Sequence, residues 1–438
     1  MSNSPSFKSE QYTKHEKQIT LVRDMHNGTD SAVNHLRQFP KEESAEFNDR
    51  KQDTALDNYV ETTASTTKNI IFRKPIDLSG ITSKLVLEWS KNINFTDSLN
   101  KFAKDLLVNR MIDGNTYLLV DRMAFDEDQT KNAAQQSEDE KRPYFINVLR
   151  ENVLNVEMDM YGNYTRVSIR EFYSEKVGTF GSKSLEQIKV WYNDGKIEIW
   201  REDKLFDTIA TKLKVIPLIK IGSDENPPLY NQAKLNIQHM NRGSECSNYV
   251  RVGASPFLAV FGNLEGGDKP KTLGINSGLK FSDKDQSDVK WIEMTGANYT
   301  IIKQEIEKLA EQMIRIAVSF ATDSANKTAT QVEKESVDGE SKLTDYSVEI
   351  EEGINKGLEY MQLFVEASLG ENTISTNKDF DSAILTPEQV TNYLALYTQN
   401  VISLDKLLEV LMQGEYIEQM TDKEIEKEKL LLRDSGVV

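Results

Sequence analysis

The sequence predicts an α+β fold: a helical opening, a central antiparallel sheet and a long helical second half. Three observations predict it. Residues 144–221 carry apolar side chains with a period of two, and Asn193-Asp194-Gly195 separates two such runs. Beyond Leu229, apolar residues recur every three or four positions. The length agrees, because 438 residues exceed what one core usually encloses and call for about two to four packed units.

Residues 1–30 are polar, mixed in charge and without the apolar run of a secretory leader, so they read as a flexible N-terminal arm. Helical character begins near Ser31, anchored by Leu36, Phe39 and Phe47, and Pro40 suits a helix start. Residues 69–75 read as a short extended piece. In residues 97–112, Leu99, Phe102 and Leu106 recur at helical spacing, Thr96 or Asp97 suits the N-cap, and Asp113-Gly114 is a stop. Residues 116–120 form an apolar run, expected as a buried strand. Residues 125–142 are dense in Asp, Glu, Gln and Asn and read as a polar surface loop. The alternating runs around Val167, Trp191 and Ile197 follow, with a hairpin at Asp194-Gly195 and one wet face on the sheet.

Pro227-Pro228 introduces a helix over residues 229–252. Its stripe of Ala233, Ile237, Met240 and Ser244 is thin, which suits close helical neighbours better than an apolar core. Residues 255–295 look β-like, with the run Phe257 to Phe261 and several glycine turns. A helix over residues 299–320 carries Ile302, Ile306, Leu309, Met313 and Ala317. Residues 321–330 are small and polar and break the pattern. A very long helix is expected over residues 332–369, with Tyr346, Ile350, Ile354, Leu358 and Met361 as its stripe. Gly353 and Gly357 each weaken an isolated helix by about 1 kcal/mol relative to Ala, so a close approach, assigned to subunit packing, is expected there. Thr386-Pro387 then starts a helical C-terminus.

The chemistry of the sequence is sparse. The single cysteine, Cys246, excludes an internal disulfide, and it reads as a small buried residue. The histidines are His15, His26, His35 and His239, none in a metal-binding or catalytic spacing. No phosphate-cradling glycine loop and no nucleophile elbow is present. Asp283, Asp285, Ser287 and Asp288 lack the glycine of a calcium loop and read as a solvated turn. The net charge of −17 opposes a tight grip on nucleic acid, whose phosphates need basic side chains. No apolar run is long enough to span a bilayer. Cofactors, metals, membrane attachment and catalysis are therefore not expected.

Three stretches resemble the portal proteins of tailed bacteriophages. The first is FPKEESAEFNDRKQDTALDNY from Phe39, leading to IFRKPI. The second is IPLIKIG followed by PPLYNQAKLNIQHMN and the SPFLAVFG run. The third is ALYTQNVISLDKLLEVLMQGE from Ala395. Their order carries more weight than any one alone. The resemblance implies an arm at 1–30, a wing at 31–228 with helices and an antiparallel sheet, and a first stem helix at 229–253. It further implies a small β-containing clip at 254–297, a second stem helix at 298–320 and a tunnel loop at 321–330. A long wing helix with a return strand at 331–385 and a short helical crown at 386–438 complete it.

The resemblance implies a ring of about twelve copies at one capsid vertex. The resemblance implies a homo-oligomer assembled in the host cytoplasm, with the major capsid protein, terminase and a head–tail adaptor or connector as partners. Double-stranded DNA would pass without sequence specificity during packaging and ejection. A ring of such chains carries roughly 200 negative charges, which suits passage without adhesion. Thr322, Asp323, Ser324, Asn326, Lys327 and Thr328 would line the channel. Another virion protein, of the capsid or baseplate, is the structural alternative. A carboxylate-based enzyme is the catalytic one, and it requires a pocket with two convergent shifted acids.

Overall fold

The computed structural model describes residues 4–122, 142–211, 213–223, 226–253, 257–261, 288–292, 297–318, 329–365, 368–378, 380, 387–398, 401–403 and 406–408. They confirm the α+β class, and the chain divides into two compact units, Met1–Thr376 and Asn377–Val438.

The first unit opens with α1 (Glu10–His26), α2 (Thr29–Ala32), α3 (Ser44–Asp53) and α4 (Tyr59–Ile71). The expected flexible arm is corrected here. Ser9 caps α1, and Val22 and Met25 are fully buried, with His15 and Ile19 nearly so. These positions recur at helical spacing, but polar residues between them mask the stripe in the composition. The extended piece expected at 69–75 is likewise pre-empted by α4, which runs to Ile71. After α5 (Lys84–Trp89) comes α6 (Leu99–Asp113), capped by Ser98 rather than Thr96 or Asp97: the Ser98 hydroxyl accepts from the Lys101 N–H. Gly114 ends α6 at φ 83°, a conformation a β-carbon disfavours.

Two antiparallel sheets follow. In the first, β1 (Thr116–Arg122) lies between β2 (Pro143–Val148) and β8 (Leu218–Ile221). Leu118, Leu119 and Val120 are all fully buried, so β1 is covered on both faces, as its unbroken apolar run implies. In the second sheet β3 (Val153–Met158), β4 (Tyr164–Val177), β5 (Gly181–Tyr192), β6 (Lys196–Arg201) and β7 (Lys204–Ala210) pair in sequence order. Gly195 makes the expected β5–β6 turn at φ 90°. Leu119 and Leu218 of the first sheet share one core with Val167, Ile169, Trp191 and Ile197 of the second.

The rest of the unit is α7 (Tyr230–Gly253), a two-stranded pair of β9 (Phe257–Phe261) and β10 (Asp288–Ile292), α8 (Ala297–Val318) and α9 (Ala329–Met361). The chain then returns past its own opening, where Asp77 bridges Ser375 and Ile81 bridges Asn372. In the second unit the described residues include α10 (Pro387–Thr398), which starts at the expected proline, and a turn in which Leu407 is buried.

Candidate functional site

The helices α7 and α8 bracket the β9–β10 pair, and α7 meets its neighbours largely through polar side chains. Gln232, Asn236, Met240 and Ser244 follow one another on α7 at four-residue steps, so they share a face. All four are buried, and three are polar. Each polar one is bonded to the N-terminal helices. Gln232 Nε2 donates to Thr63 Oγ1 at 2.7 Å and to the Met313 carbonyl of α8 at 3.3 Å. Asn236 Nδ2 donates to the Asp57 carbonyl at 2.8 Å, while its Oδ1 accepts from the Tyr59 N–H at 3.1 Å. Ser244 Oγ accepts from Arg50 and from Thr54, both at 2.9 Å. The thin stripe is therefore a polar seam, and the tolerance for small polar residues is explained by partners rather than by solvent.

Arg50 organises the far end of that seam. It is 5% exposed and grips Glu42 with two nitrogens, Nε at 2.7 Å and Nη2 at 2.8 Å. Its Nη2 also donates to the Arg37 carbonyl, and the guanidinium lies 3.9 Å from the centre of the Phe39 ring. The hydrogen bonds from Arg50 hold the Glu42 carboxyl below its ordinary range. Phe39, Glu42 and Arg50 all belong to the FPKEESAEFNDR stretch, so that motif is a clamp of the opening segment onto α7. The cross-link continues to α8, where Arg242 Nε meets Glu305 at 3.2 Å.

Two further buried pairs fix the frame. Arg23 of α1 meets the fully buried Asp113 at 2.6 Å. Burial pushes the Asp113 carboxyl up to about 6, against the pull of the Arg23 guanidinium. Arg110 of α6 meets Glu349 of α9 at 2.7 Å and stacks 4.8 Å from the Tyr346 ring centre.

Gly353 and Gly357 correct an expectation. Both are buried inside this one chain, where a β-carbon on Gly353 would meet Ile221 at 2.6 Å and one on Gly357 would meet Phe145 at 2.8 Å. Their close approach is to side chains of the chain's own three-stranded sheet, so they are not subunit-packing positions. The reason is geometric: the narrow backbone of α9 fits where Phe145, Leu118 and Ile221 rise from that sheet. Cys246 is half-buried rather than buried, and free. Thr322, Asp323, Ser324, Asn326, Lys327 and Thr328 lie outside the described residues, as do Asp283, Asp285 and Ser287.

Clefts of about 250 and 660 Å³ open beside the five-stranded sheet. Among the described residues the carboxyls held above their ordinary range are Asp105 and Asp113, both raised by burial. Neither lines either cleft, so no convergent pair of shifted acids is assembled there. No group of three or more metal-ligating side chains occurs among the described residues, and none of their helices is long and apolar enough to cross a membrane.

Residues 228–365, from α7 through α9, match a family described as "Domain of unknown function (DUF4055)". No curated protein sequence matches the chain. Among solved structures the chain is similar to one in "Virion of native gene transfer agent (GTA) particle". That match has a TM-score of 0.43 at 11% identity and covers 81% of this chain and 89% of that one. It is also similar to a chain in "Neck of empty GTA particle computed with C6 symmetry", with a TM-score of 0.42 at 12% identity over 80% and 87% of the two chains. A third match, in "Neck of native GTA particle computed with C12 symmetry", has a TM-score of 0.39 at 12% identity over 81% and 89%.

Proposed function

We propose that this chain is a structural protein of the head–tail region of a phage-like particle, and within that class the portal subunit. The observation that carries the reading is the order of elements from α7 to α9. A helix of 24 residues, a two-stranded β pair, a helix of 22 residues and a helix of 33 residues follow one another. In the portal reading α7 and α8 are the stem, the β pair belongs to the clip, and α9 crosses the wing. The sheets and helices from residue 31 to 228 are then the wing, and residues 386–438 the crown.

The outward faces of the stem fit a role in assembly. Ile301 and Ile314 of α8 are 63% and 50% exposed and Val250 of α7 is 47% exposed, while α7 buries the polar seam and α8 buries Leu309 and Met313. Exposed aliphatic side chains on a helix pair are suited to burial against a neighbouring copy. Residues 321–328 of the expected loop precede α9, which already includes Ala329 and Thr330, and Lys327 there would touch DNA phosphates transiently. Terminase, the adaptor and the major capsid protein remain the expected partners of the ring.

The test is an averaged image of the purified protein with the hairpin between α7 and α8 labelled. The reading predicts a ring whose label marks its narrow end, and Lys327→Glu rings that form normally but package or retain DNA differently. A ring with the label on its outer rim contradicts it.

A further inference from the structure

The five-stranded sheet carries two exposed apolar ends that no part of the described chain covers. Strand β4 begins after the turn at residues 159–163 and ends at the turn at residues 178–180. It is 14 residues long, so the two turns lie about 45 Å apart at roughly 3.3 Å per residue. At the first end Met160 and Tyr161 are 87% and 82% exposed, and Met158 is 54% exposed. At the second end Phe180 is fully exposed and Val177 is 56% exposed.

The second end is also poorly supported. β4 pairs with β5 along its length, from Arg166 opposite Tyr192 to Val177 opposite Gly181. β3, however, pairs with β4 only as far as Ile169, and β6 pairs with β5 only over 188–191. Beyond those points the β4–β5 hairpin is a two-stranded ribbon with two open edges among the described residues. A lone two-stranded ribbon is marginal in water, and open strand edges seek partners.

The two ends differ in charge. The ribbon tip carries Lys176 and Lys183 against Glu175. The opposite turn carries Glu157 and Asp159 against Arg166, which pairs with Glu157. Asp159 is held in its charged form by hydrogen bonds from Asn163 and from the Tyr161 N–H, which keep its carboxyl below the ordinary range. Residues 175–183 at one end thus carry one net positive charge and residues 157–166 at the other one net negative charge, on a chain whose overall charge of −17 opposes contact between copies elsewhere.

We infer that the ribbon tip around Phe180 docks on the Met160–Tyr161 turn of the next copy of this chain. The two patches lie at opposite ends of one sheet, so the contact is head-to-tail. A head-to-tail contact leaves each copy with one free tip and one free turn, and it is satisfied throughout only when the series closes. The inference rests on the ring reading and adds to it a second contact in the wing, away from the stem.

The experiment uses the full chain with Cys246→Ser, Phe180→Cys and Met160→Cys, treated with a short bismaleimide. The expected result is a ladder of covalently linked multimers, while each single-cysteine chain stays unlinked. In parallel, Phe180→Asp and Met160→Lys are each expected to raise the concentration for half-assembly about tenfold or more, and the double variant to recover much of that loss by ion pairing across the contact. A parent that stays monomeric overturns both this inference and the ring reading. A parent that assembles, with no ladder from the cysteine pair and normal assembly of Phe180→Asp, overturns the sheet contact alone.

Discussion

The helices α7 and α9 are both long, both weakly apolar in sequence, and fastened by opposite means. α9 lays bare backbone at Gly353 and Gly357 onto Ile221, Phe145 and Leu118, with Ile350 and Ile354 fully buried beside them. α7 turns Gln232, Asn236 and Ser244 inward and bonds them to Thr63, Asp57, Tyr59 and Arg50, leaving Gln232 Oε1 without a partner among the described residues. A weakly apolar composition therefore has two physical meanings. It marks a helix pressed close against side chains, or a helix hydrogen-bonded along its buried face. The first tolerates no added volume, and the second tolerates no lost partner.

Removing the clamp is expected to have the largest effect. Arg50→Ala leaves Glu42, whose side chain is 7% exposed, buried without its cation. A loss of about 3–5 kcal/mol in chemical unfolding is expected. Parent-like stability in this variant would mean that α7 is held by packing after all. Gly357→Leu should follow, at about 1–3 kcal/mol, because Phe145 cannot retreat from a fully packed sheet. If its melting matches the parent, the close approach of α9 is wrong. Asn236→Leu is expected to cost about 1–2 kcal/mol by stranding the Tyr59 N–H and the Asp57 carbonyl. Its cost should exceed that of Ile237→Ala, whose side chain is only half-buried.

A further expected effect is a slope with pH. The folded pKa of Asp113, about 6, lies above the ordinary 3.8, so the folded chain holds a proton there that the unfolded chain has released. The stabilising contribution is complete below pH 3.8 and is lost as pH rises through 6. The slope is at most about 1.4 kcal/mol per pH unit. Asp113→Asn should flatten it, which unfolding curves at several pH values would show. Arg50→Ala should leave it in place, separating the Arg23 contact from the α7 clamp.

Much of this architecture was legible in the sequence. The α7, α8 and β5–β6 boundaries followed from Pro227-Pro228, from the Ile302 to Ala317 stripe and from Asp194-Gly195, which are local signals with local causes. The α1 helix was not legible as structure, because Ile19, Val22 and Met25 are diluted by charged neighbours. The clamp was visible only as a motif, since stacking Arg50 on Phe39 requires the chain to double back. The polar seam does have a signal in the sequence: Gln232, Asn236 and Ser244 fall at multiples of four residues on a helix that otherwise lacks a core face. The glycines announced a close approach, but a sequence does not say whether the opposing surface belongs to the same chain.

Closure of this chain into a ring is tested most directly by its mass in solution. Native mass measurement of the full chain at micromolar concentration and several salt concentrations is expected to give one dominant species at about twelve times the 49.9 kDa chain. A monodisperse 49.9 kDa monomer across all those conditions contradicts the account.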